Sequence, residues 1–196
     1  MGEVTLKRLQ GRAVDEVVEP LAALRIAVFR DWPYLYDGDA DYERRYLARF
    51  AASPRALVVG AFDGARLVGA ATALPLADEH EEFKAPFAAR GDEVGAVFYL
   101  AESVLLPAYR GRGIGHGFFD HREAAAREGG FTRAVFCAVV RAADDRRRPA
   151  DARALEPFWR GRGYVPLEGV VCRFAWRDLG DSEETAKPLQ FWGRWL

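Results

Sequence analysis

A short glycine-rich stretch decides the fold of this chain. From Leu105 to Gly117 the sequence reads LLPAYRGRGIGHG. It follows an apolar segment, Val94–Leu106, that predicts a central strand, and it leads into a helical pattern over Arg112–Glu128. At such a turn the backbone N–H groups lack intrahelical acceptors, and the helix dipole adds partial positive charge. The stretch therefore predicts a binding site for a phosphate or diphosphate group.

Two common phosphate-binding motifs do not fit this stretch. The dinucleotide fingerprint G-x-G-x-x-G fails because its last glycine would fall at His116 or at Phe118. The P-loop fails because no G-K-[S/T] follows the glycines. What remains is R-x-x-G-x-G, formed by Arg110, Gly113 and Gly115. Glycines that serve only a tight strand-to-helix turn are the alternative interpretation.

The rest of the chain alternates between strand and helix patterns. Strands are predicted at Val4–Leu9, Ala56–Phe62, Arg66–Leu76, Val94–Leu106, Ala134–Val140 and Val170–Trp176. Helices are predicted at Val14–Trp32, Asp39–Ala52, Arg112–Glu128 and Leu155–Arg162, whereas residues 78–92 look charged and irregular, with a helical turn as the alternative. This order predicts an α/β fold of the α+β type, a single domain with a mixed central sheet and helices on both faces.

The end of the chain reads as an extension of that domain. We expect the domain to cover residues 1–179 and the extension to cover residues 180–196. Its aromatic residues either pack on the domain or form a homodimer contact, and packing is the preferred interpretation; they are Phe191, Trp192 and Trp195.

Composition excludes several classes of function. The 196 residues carry 28 Lys plus Arg against 29 Asp plus Glu, a formal net charge of -1, which argues against a nucleic-acid-binding protein. Two cysteines and three histidines, scattered along the chain, predict neither a disulfide framework nor a metal site. No stretch reaches the roughly 18 apolar residues that would span a bilayer, and no signal-like segment opens the chain. We expect a cytoplasmic protein that does not bind membranes.

The R-x-x-G-x-G stretch resembles the diphosphate-binding loop of the GCN5-related N-acetyltransferase (GNAT) superfamily. A second segment, Phe158–Tyr164, resembles the later aromatic helix of that family. The resemblance implies the family's fold and acetyl-CoA as co-substrate, without a metal. It also implies cofactor binding by the backbone of Val104, Leu105 and Leu106, and by the N–H groups of Arg110, Gly111, Arg112, Gly113, Ile114, Gly115 and His116.

Direct acyl transfer to an amine needs a base that removes a proton from the amine. Glu102 is the candidate, because a carboxylate within an apolar strand is costly unless it is exposed, paired or functional. Its alternative role is a salt bridge with one of the arginines, and Tyr99 is an alternative or assisting residue. Many members of the family carry a tyrosine as general acid where Trp159 stands. Three alternatives follow: the thiolate leaves unprotonated, another tyrosine such as Tyr164 donates the proton, or the protein is catalytically unusual.

The family builds its acceptor pocket largely from the two N-terminal helices and their connection. The matching residues are Tyr34, Tyr36 and Asp37, which suit a cationic amine through cation–π and charge contacts; aromatic packing over the sheet edge is the alternative. We expect an N-acetyltransferase that acts on an amine of a small molecule or a protein. The alternatives are a non-catalytic acyl-CoA-binding module and an α/β domain that binds another phosphorylated ligand.

Overall fold

The computed structural model describes residues 2–196. This part of the chain forms one seven-stranded sheet with the order β1-β2-β3-β4-β5-β7-β6. The strands are β1 Val4–Leu9, β2 Leu57–Asp63, β3 Arg66–Pro75, β4 Val97–Leu105, β5 Arg133–Val139, β6 Val165–Arg177 and β7 Glu184–Trp195. The helices are α1 Arg12–Asp15, α2 Val18–Phe29, α3 Ala40–Ala52, α4 Glu81–Ala89, α5 Ile114–Glu128 and α6 Glu156–Gly161, with short 3-10 turns at Leu76–Asp78, Val94–Ala96 and Pro107–Tyr109.

The sheet is mixed, as the sequence predicts. Strands β1 to β4 pair antiparallel in chain order, β4 pairs parallel with β5, and β7 pairs antiparallel with both β5 and β6. The parallel pair needs a crossover connection, which α5 supplies between β4 and β5. The predicted fold class is confirmed.

Helices cover both faces of this sheet. Residues of α1 to α4 belong to one apolar cluster, together with one face of the strands. The aromatic residues of α5 and α6 pack on the other face. Successive strand side chains point to opposite faces, so each central strand contributes to both clusters.

A β-bulge in β4 changes this alternation. Thr72 of β3 pairs with Glu102, but Leu74, only two residues later, pairs with Tyr99, so β4 carries one extra residue between the two pairs. As a result Tyr99, Ala101 and Glu102 all line the same cavity, on the side of the sheet that carries α2 and α3.

Strands β4 and β5 separate directly beyond this point. Their pairing begins at Val97 with Arg133 and, within residues 2–196, ends at Tyr99 with Val135. Strand β5 continues to pair with β7 as far as Val139. The second half of β4 thus leaves an edge open toward β5, and the gap leads to the glycine turn.

Two elements differ from the sequence prediction. Residues 78–92, expected to be irregular, contain α4, whose Phe83 and Phe87 are buried one turn apart. The segment expected to be an extension contains β7, which lies between β5 and β6. Both elements differ from the prediction for the same reason: their formation depends on packing against distant parts of the chain.

We predict that β7 contributes strongly to stability. Phe191 is fully buried and its ring lies 4.8 Å from that of Phe87, whereas Trp195 on the same strand is 72% exposed. Phe191→Ala should lower the free energy of unfolding by about 3–5 kcal/mol, because it leaves a cavity in the core. Trp195→Ala is the matched control and should cost less than about 1 kcal/mol. Urea denaturation measures both, and equal losses would contradict a core role for β7.

Candidate functional site

The turn between β4 and α5 has a conformation that requires glycine. Gly111 and Gly113 adopt left-handed backbone conformations with φ of 75° and 80°. Gly113 is also the N-cap of α5, where it makes no side-chain cap. A Cβ atom at either residue would have nothing within 4 Å, so the space in front of the turn is open. The glycines here serve the backbone conformation and leave room for a neighbour.

Some N–H groups of this turn donate hydrogen bonds to backbone carbonyls, and others have no acceptor within the helix. The N–H of Arg110 donates to the Pro107 carbonyl and that of His116 donates to the Gly113 carbonyl, at 3.1 and 3.0 Å. Ile114 and Gly115 open α5 and have no intrahelical acceptor. Unused donors and the helix dipole coincide at the centre of the predicted stretch, which is the arrangement that binds a phosphate group.

The two arginines of the motif contact the chain's own backbone. Arg110 donates through Nε to the Leu105 carbonyl at 3.2 Å, and Arg112 donates through Nη2 to the Gly2 carbonyl at 3.0 Å. Both residues are exposed. These contacts hold the turn against the end of β4 and against the N-terminal residues, and they bring positive charge to both sides of the glycines.

The open edge of β4 offers main-chain groups next to this turn. The N–H of Leu106 donates to the Val68 carbonyl at 3.0 Å, so it faces β3. Because successive N–H groups of a strand point to opposite sides, the N–H of Val104 also faces β3 and that of Leu105 faces the gap toward β5. Of the three residues predicted to hold the cofactor by their backbone, Leu105 thus has its N–H on the open side.

A cavity of about 440 Å³ lies at the bulge, on the face that carries α2 and α3. It contains all five residues predicted for catalysis and acceptor binding, namely Tyr34, Tyr36, Asp37, Tyr99 and Glu102. Further aromatic walls come from Phe29, Tyr42, Tyr46, Phe83, Phe174 and Trp176. The structure therefore unites the two predicted groups of residues in a single cavity.

Glu102 belongs to a buried ionic cluster. Its carboxylate forms an ion pair with Arg25 and accepts a hydrogen bond from the Tyr46 hydroxyl at 2.8 Å. Arg25 also pairs with Glu43, and its guanidinium lies 4.2 Å from the centre of the Tyr46 ring. Burial alone would lower the pKa of Arg25, but Glu102, Tyr46 and Glu43 outweigh it and raise that pKa. Arg25 is consequently a permanent cation that positions two carboxylates.

Tyr99 lies where β4 and β5 separate. Its hydroxyl is 3.1 Å from Cys137 Sγ, across the beginning of the gap. Burial raises the pKa of both groups above their ordinary values. Tyr99 is therefore a neutral hydroxyl at physiological pH and is suited to donate a hydrogen bond, not to remove a proton.

The aromatic residues near α6 do not supply an acid to the cavity. Trp159 packs against Phe136 and Trp192, with ring centres about 5 Å apart. Tyr164, an alternative proton donor in the sequence analysis, is fully buried on the α5 face and donates to Glu123 at 3.1 Å. Burial raises its pKa. Tyr164 is bound within the core and does not line the cavity, so this alternative is not supported.

Arg122 of α5 is a site residue that the sequence analysis missed. It is fully buried and donates to the carbonyls of Thr72 and Glu102 at 3.2 and 3.0 Å, and to Ser103 Oγ at 2.8 Å. Burial lowers its pKa to about 10. The guanidinium thus binds carbonyls at the bulge, where the regular β3–β4 ladder is interrupted. An arginine between Phe119 and Ala126 on the apolar face of a helix was the signal available in the sequence.

A second ionic cluster holds the loop that contains Pro33 and Tyr34 at the cavity. Asp178 is buried and accepts from Arg141, Arg147 and Lys187 at 2.6 to 3.0 Å. Arg141 also donates to the carbonyls of Pro33 and Tyr34. The charged loop that follows β5 is thereby tied to the aromatic loop at the cavity, and this connection fixes the position of Tyr34.

No group of three or more His, Cys, Asp or Glu side chains in residues 2–196 is arranged to hold a metal ion. No helix in that range has the length and apolarity needed to cross a membrane.

Comparison with known proteins agrees with the geometry. Residues 21–149 match the family model described as the acetyltransferase (GNAT) family. No curated protein matches the chain.

Solved structures resemble the fold over nearly the whole chain. One is the acetyltransferase of the GNAT family from Streptococcus pneumoniae, with a TM-score of 0.60 at 14% identity, covering 99% of this chain and 100% of that one. Another is a ribosomal-protein-alanine N-acetyltransferase from Brucella melitensis, with a TM-score of 0.62 at 15% identity over 98% and 99% of the two chains. A third is the PaiA N-acetyltransferase from Thermoplasma acidophilum in complex with coenzyme A, with a TM-score of 0.59 at 12% identity over 100% of both chains. These likenesses establish the fold.

We predict that the Asp178 cluster makes stability depend on pH. Burial alone would raise the pKa of Asp178, but its hydrogen bonds with Arg141 and Lys187 lower it overall. A carboxyl group with a lowered pKa stabilises the fold above its unfolded pKa of about 3.9, and this contribution is lost as the pH falls through the folded value. Asp178→Asn should therefore cost about 3 kcal/mol at pH 7 and flatten the decline in stability between about pH 5 and pH 2.

The measurement is urea denaturation of both proteins across that pH range. Asp181→Asn in the exposed neighbouring turn is the control and should change stability by less than about 0.5 kcal/mol. Equal slopes of stability against pH for the wild type and Asp178→Asn would contradict an ionised, paired Asp178.

Proposed function

Because this chain belongs to the acetyltransferase (GNAT) family, we propose that it transfers an acetyl group from acetyl-CoA to a primary amine of a small molecule or a protein. One observation carries the proposal. The gap between β4 and β5 lies between the anion-binding turn at Gly111–Gly115 and the aromatic cavity at Glu102. A thioester that enters along this gap has its diphosphate at the turn and its acyl group at the cavity.

The residues around the gap fit coenzyme A. Open space in front of Gly111 and Gly113 and the unused N–H groups that open α5 suit a diphosphate. The open edge of β4 suits the amide groups of a pantetheine arm, which pair with a strand edge as another strand would. The proposed cofactor-binding residues are Val104, Leu105, Leu106, Arg110, Gly111, Arg112, Gly113, Ile114, Gly115 and His116. Arg110 and Arg112 add charge beside the phosphates.

The proposed chemistry uses two residues on the same face of β4. The amine nitrogen bonds to the acetyl carbon, and the carbon–sulfur bond breaks. Glu102 removes the proton from the amine, directly or through a water, while Arg25 and Tyr46 hold its carboxylate in position. Tyr99 assists as a neutral donor beside the departing thiolate, since burial raises the pKa of its hydroxyl.

The acceptor is proposed to bind among Tyr34, Tyr36 and Asp37. All three line the cavity. Asp37 is paired with Arg177 at 2.7 Å, so it forms part of the cavity rim together with that arginine. The cytoplasmic location and the homodimer stay predictions from the sequence.

Trp159 favours a second candidate, a non-catalytic acyl-CoA-binding module. An indole cannot donate a proton to a thiolate as a tyrosine does, and here it is packed among aromatic rings. Mass-spectrometric detection of acetylated product across a panel of amines tests the two candidates. Product supports transfer, whereas persistent absence of product with measurable CoA binding supports the module. Thermal stabilisation by nucleotides but not by CoA would reject both.

We predict that Gly113→Glu abolishes CoA binding. The new side chain places a negative charge and bulk in the open space at the diphosphate site, and affinity should fall by at least about 100-fold, or 2.7 kcal/mol. Gly91→Glu is the matched control, because Gly91 has φ of 75° and open space around it but lies outside the proposed site. Both changes strain the backbone by about 1–2 kcal/mol, so they should lower the melting temperature alike. Calorimetric CoA affinity that is unchanged in Gly113→Glu would contradict the assignment.

We also predict that Glu102→Gln slows turnover without weakening CoA binding. Loss of a general base lowers the rate by about 100-fold or more, while CoA affinity should stay within about twofold. Tyr46→Phe removes a hydrogen bond to Glu102 but keeps its carboxylate, so it should cost less than about tenfold. Steady-state kinetics with saturating acetyl-CoA measures both variants. A rate in Glu102→Gln equal to that of the wild type would show that the base lies elsewhere.

A further inference from the structure

The inner end of the cavity carries an unbalanced negative charge. Arg25 forms ion pairs with both Glu43 and Glu102, so one guanidinium faces two carboxylates, a local net charge of -1. The side chain of Glu43 is 0% exposed and that of Glu102 is 8% exposed. Excess charge in buried surroundings is costly unless a further cation balances it. The other buried cation near Glu102 is Arg122, which binds the Glu102 carbonyl from the opposite face of the sheet, so on the cavity side the two carboxylates face one guanidinium.

A second observation points to the same ligand. Glu43 lines the cavity and is fully buried, yet its Oε1 atom has no hydrogen-bond donor at bonding geometry among the described residues. The Tyr36 hydroxyl is the neighbouring donor, and its interaction with the Glu43 carboxylate contributes to the raised pKa of that tyrosine. An ammonium group that takes the place of the Tyr36 hydroxyl beside this carboxylate gains a charge-assisted hydrogen bond.

The cavity walls indicate what the rest of the ligand is. Tyr34, Tyr36 and Phe174 line the space beyond the cluster, and aromatic faces attract both cations and other rings. The five acidic residues of the lining, Asp37, Asp39, Glu43, Glu102 and Glu184, outnumber its three arginines, so the lining carries a net charge of -2. A ligand carboxylate is disfavoured by this balance. A volume of about 440 Å³ is sufficient for a ring on a short chain.

We propose that the acceptor is an arylalkylamine that carries one amino group and no carboxylate. Its ammonium binds at Glu43 and Glu102, and its ring lies among Tyr34, Tyr36 and Phe174. This assignment rests on the proposed acetyltransferase function and specifies its substrate class. The bound ammonium loses one proton to solvent, and Glu102 takes the second as the neutral amine attacks the acetyl carbon where the gap between β4 and β5 opens, so that the thiolate leaves when the carbon–sulfur bond breaks.

The first test compares acceptors on the wild-type protein. Release of the CoA thiol is measured at saturating acetyl-CoA with phenethylamine, phenylalanine, n-butylamine and spermidine. Phenethylamine should have a kcat/KM at least about tenfold above each of the others, because the comparisons add a carboxylate, remove the ring or add charge. Preference for phenylalanine would make the exposed Arg45 at the cavity a carboxylate-binding group and overturn the proposal, as would preference for an aliphatic amine.

The second test measures binding and does not require turnover. Phenethyltrimethylammonium cannot be acetylated and keeps its charge, whereas its carbon analogue with a tert-butyl group has the same shape without charge. With CoA present, the cation should bind at least about tenfold more tightly in calorimetry. Glu43→Gln should remove most of this difference while leaving CoA affinity unchanged. If that variant does not fold, the wild-type comparison alone decides, and equal affinities for the two compounds would overturn the proposal.

Failure of the proposed substrate class can be distinguished from failure of the proposed transferase function. If phenylalanine or spermidine is acetylated in preference to phenethylamine, the proposed transferase function stands and the substrate class is wrong. If CoA binds and no amine is acetylated, the transferase function fails. The binding comparison then still decides whether the cavity selects an aromatic cation.

Discussion

The separation of β4 from β5 is the constraint on which the rest of this structure depends. Parallel pairing stops at Tyr99, and the extra residue between Tyr99 and Glu102 places both side chains on one face. A bulge leaves backbone carbonyls without regular ladder partners. Here Arg122, from the opposite face of the sheet, donates hydrogen bonds to the carbonyls of Thr72 and Glu102. A buried guanidinium that binds carbonyls keeps the strand bent without a carboxylate of its own.

The same separation connects two halves that are built by different means. The proposed cofactor site consists of main chain: a strand edge, a turn with two left-handed glycines and the first amides of α5. The proposed acceptor site consists of side chains from α2, α3 and the loops near Asp178, held by the ionic clusters around Arg25 and Asp178. Main-chain groups tolerate substitution of most side chains, whereas the proposed acceptor site depends on the identity of each residue. This difference explains why a single sequence is sufficient to predict the glycine turn but not the substrate.

Much of the fold could be predicted from the sequence, because local patterns encode it. The hairpin from β2 to β3 shows in apolar runs around Asp63–Ala65, and the glycine turn shows in its own spacing. The strand β7 and the helix α4 could not be predicted, since each depends on contacts with distant residues. Glu102 could be singled out as a carboxylate in an apolar strand. Its partners could not, because Arg25 lies 77 residues earlier in the chain and looks like any other polar residue of a helix.

In the proposed reaction, the packing of Trp159 leaves the proton chemistry to the cavity side of β4. Its indole packs on Phe136 and Trp192, so α6 contributes an apolar wall. The groups that remain near the gap are the Glu102 carboxylate and the Tyr99 hydroxyl, and their environments differ. Glu102 forms an ion pair with the Arg25 guanidinium, whereas burial beside Cys137 favours the neutral form of Tyr99 by raising its pKa. In the proposed reaction a base and a hydrogen-bond donor thus stand three residues apart on one strand, and the bulge is what turns both toward the same substrate.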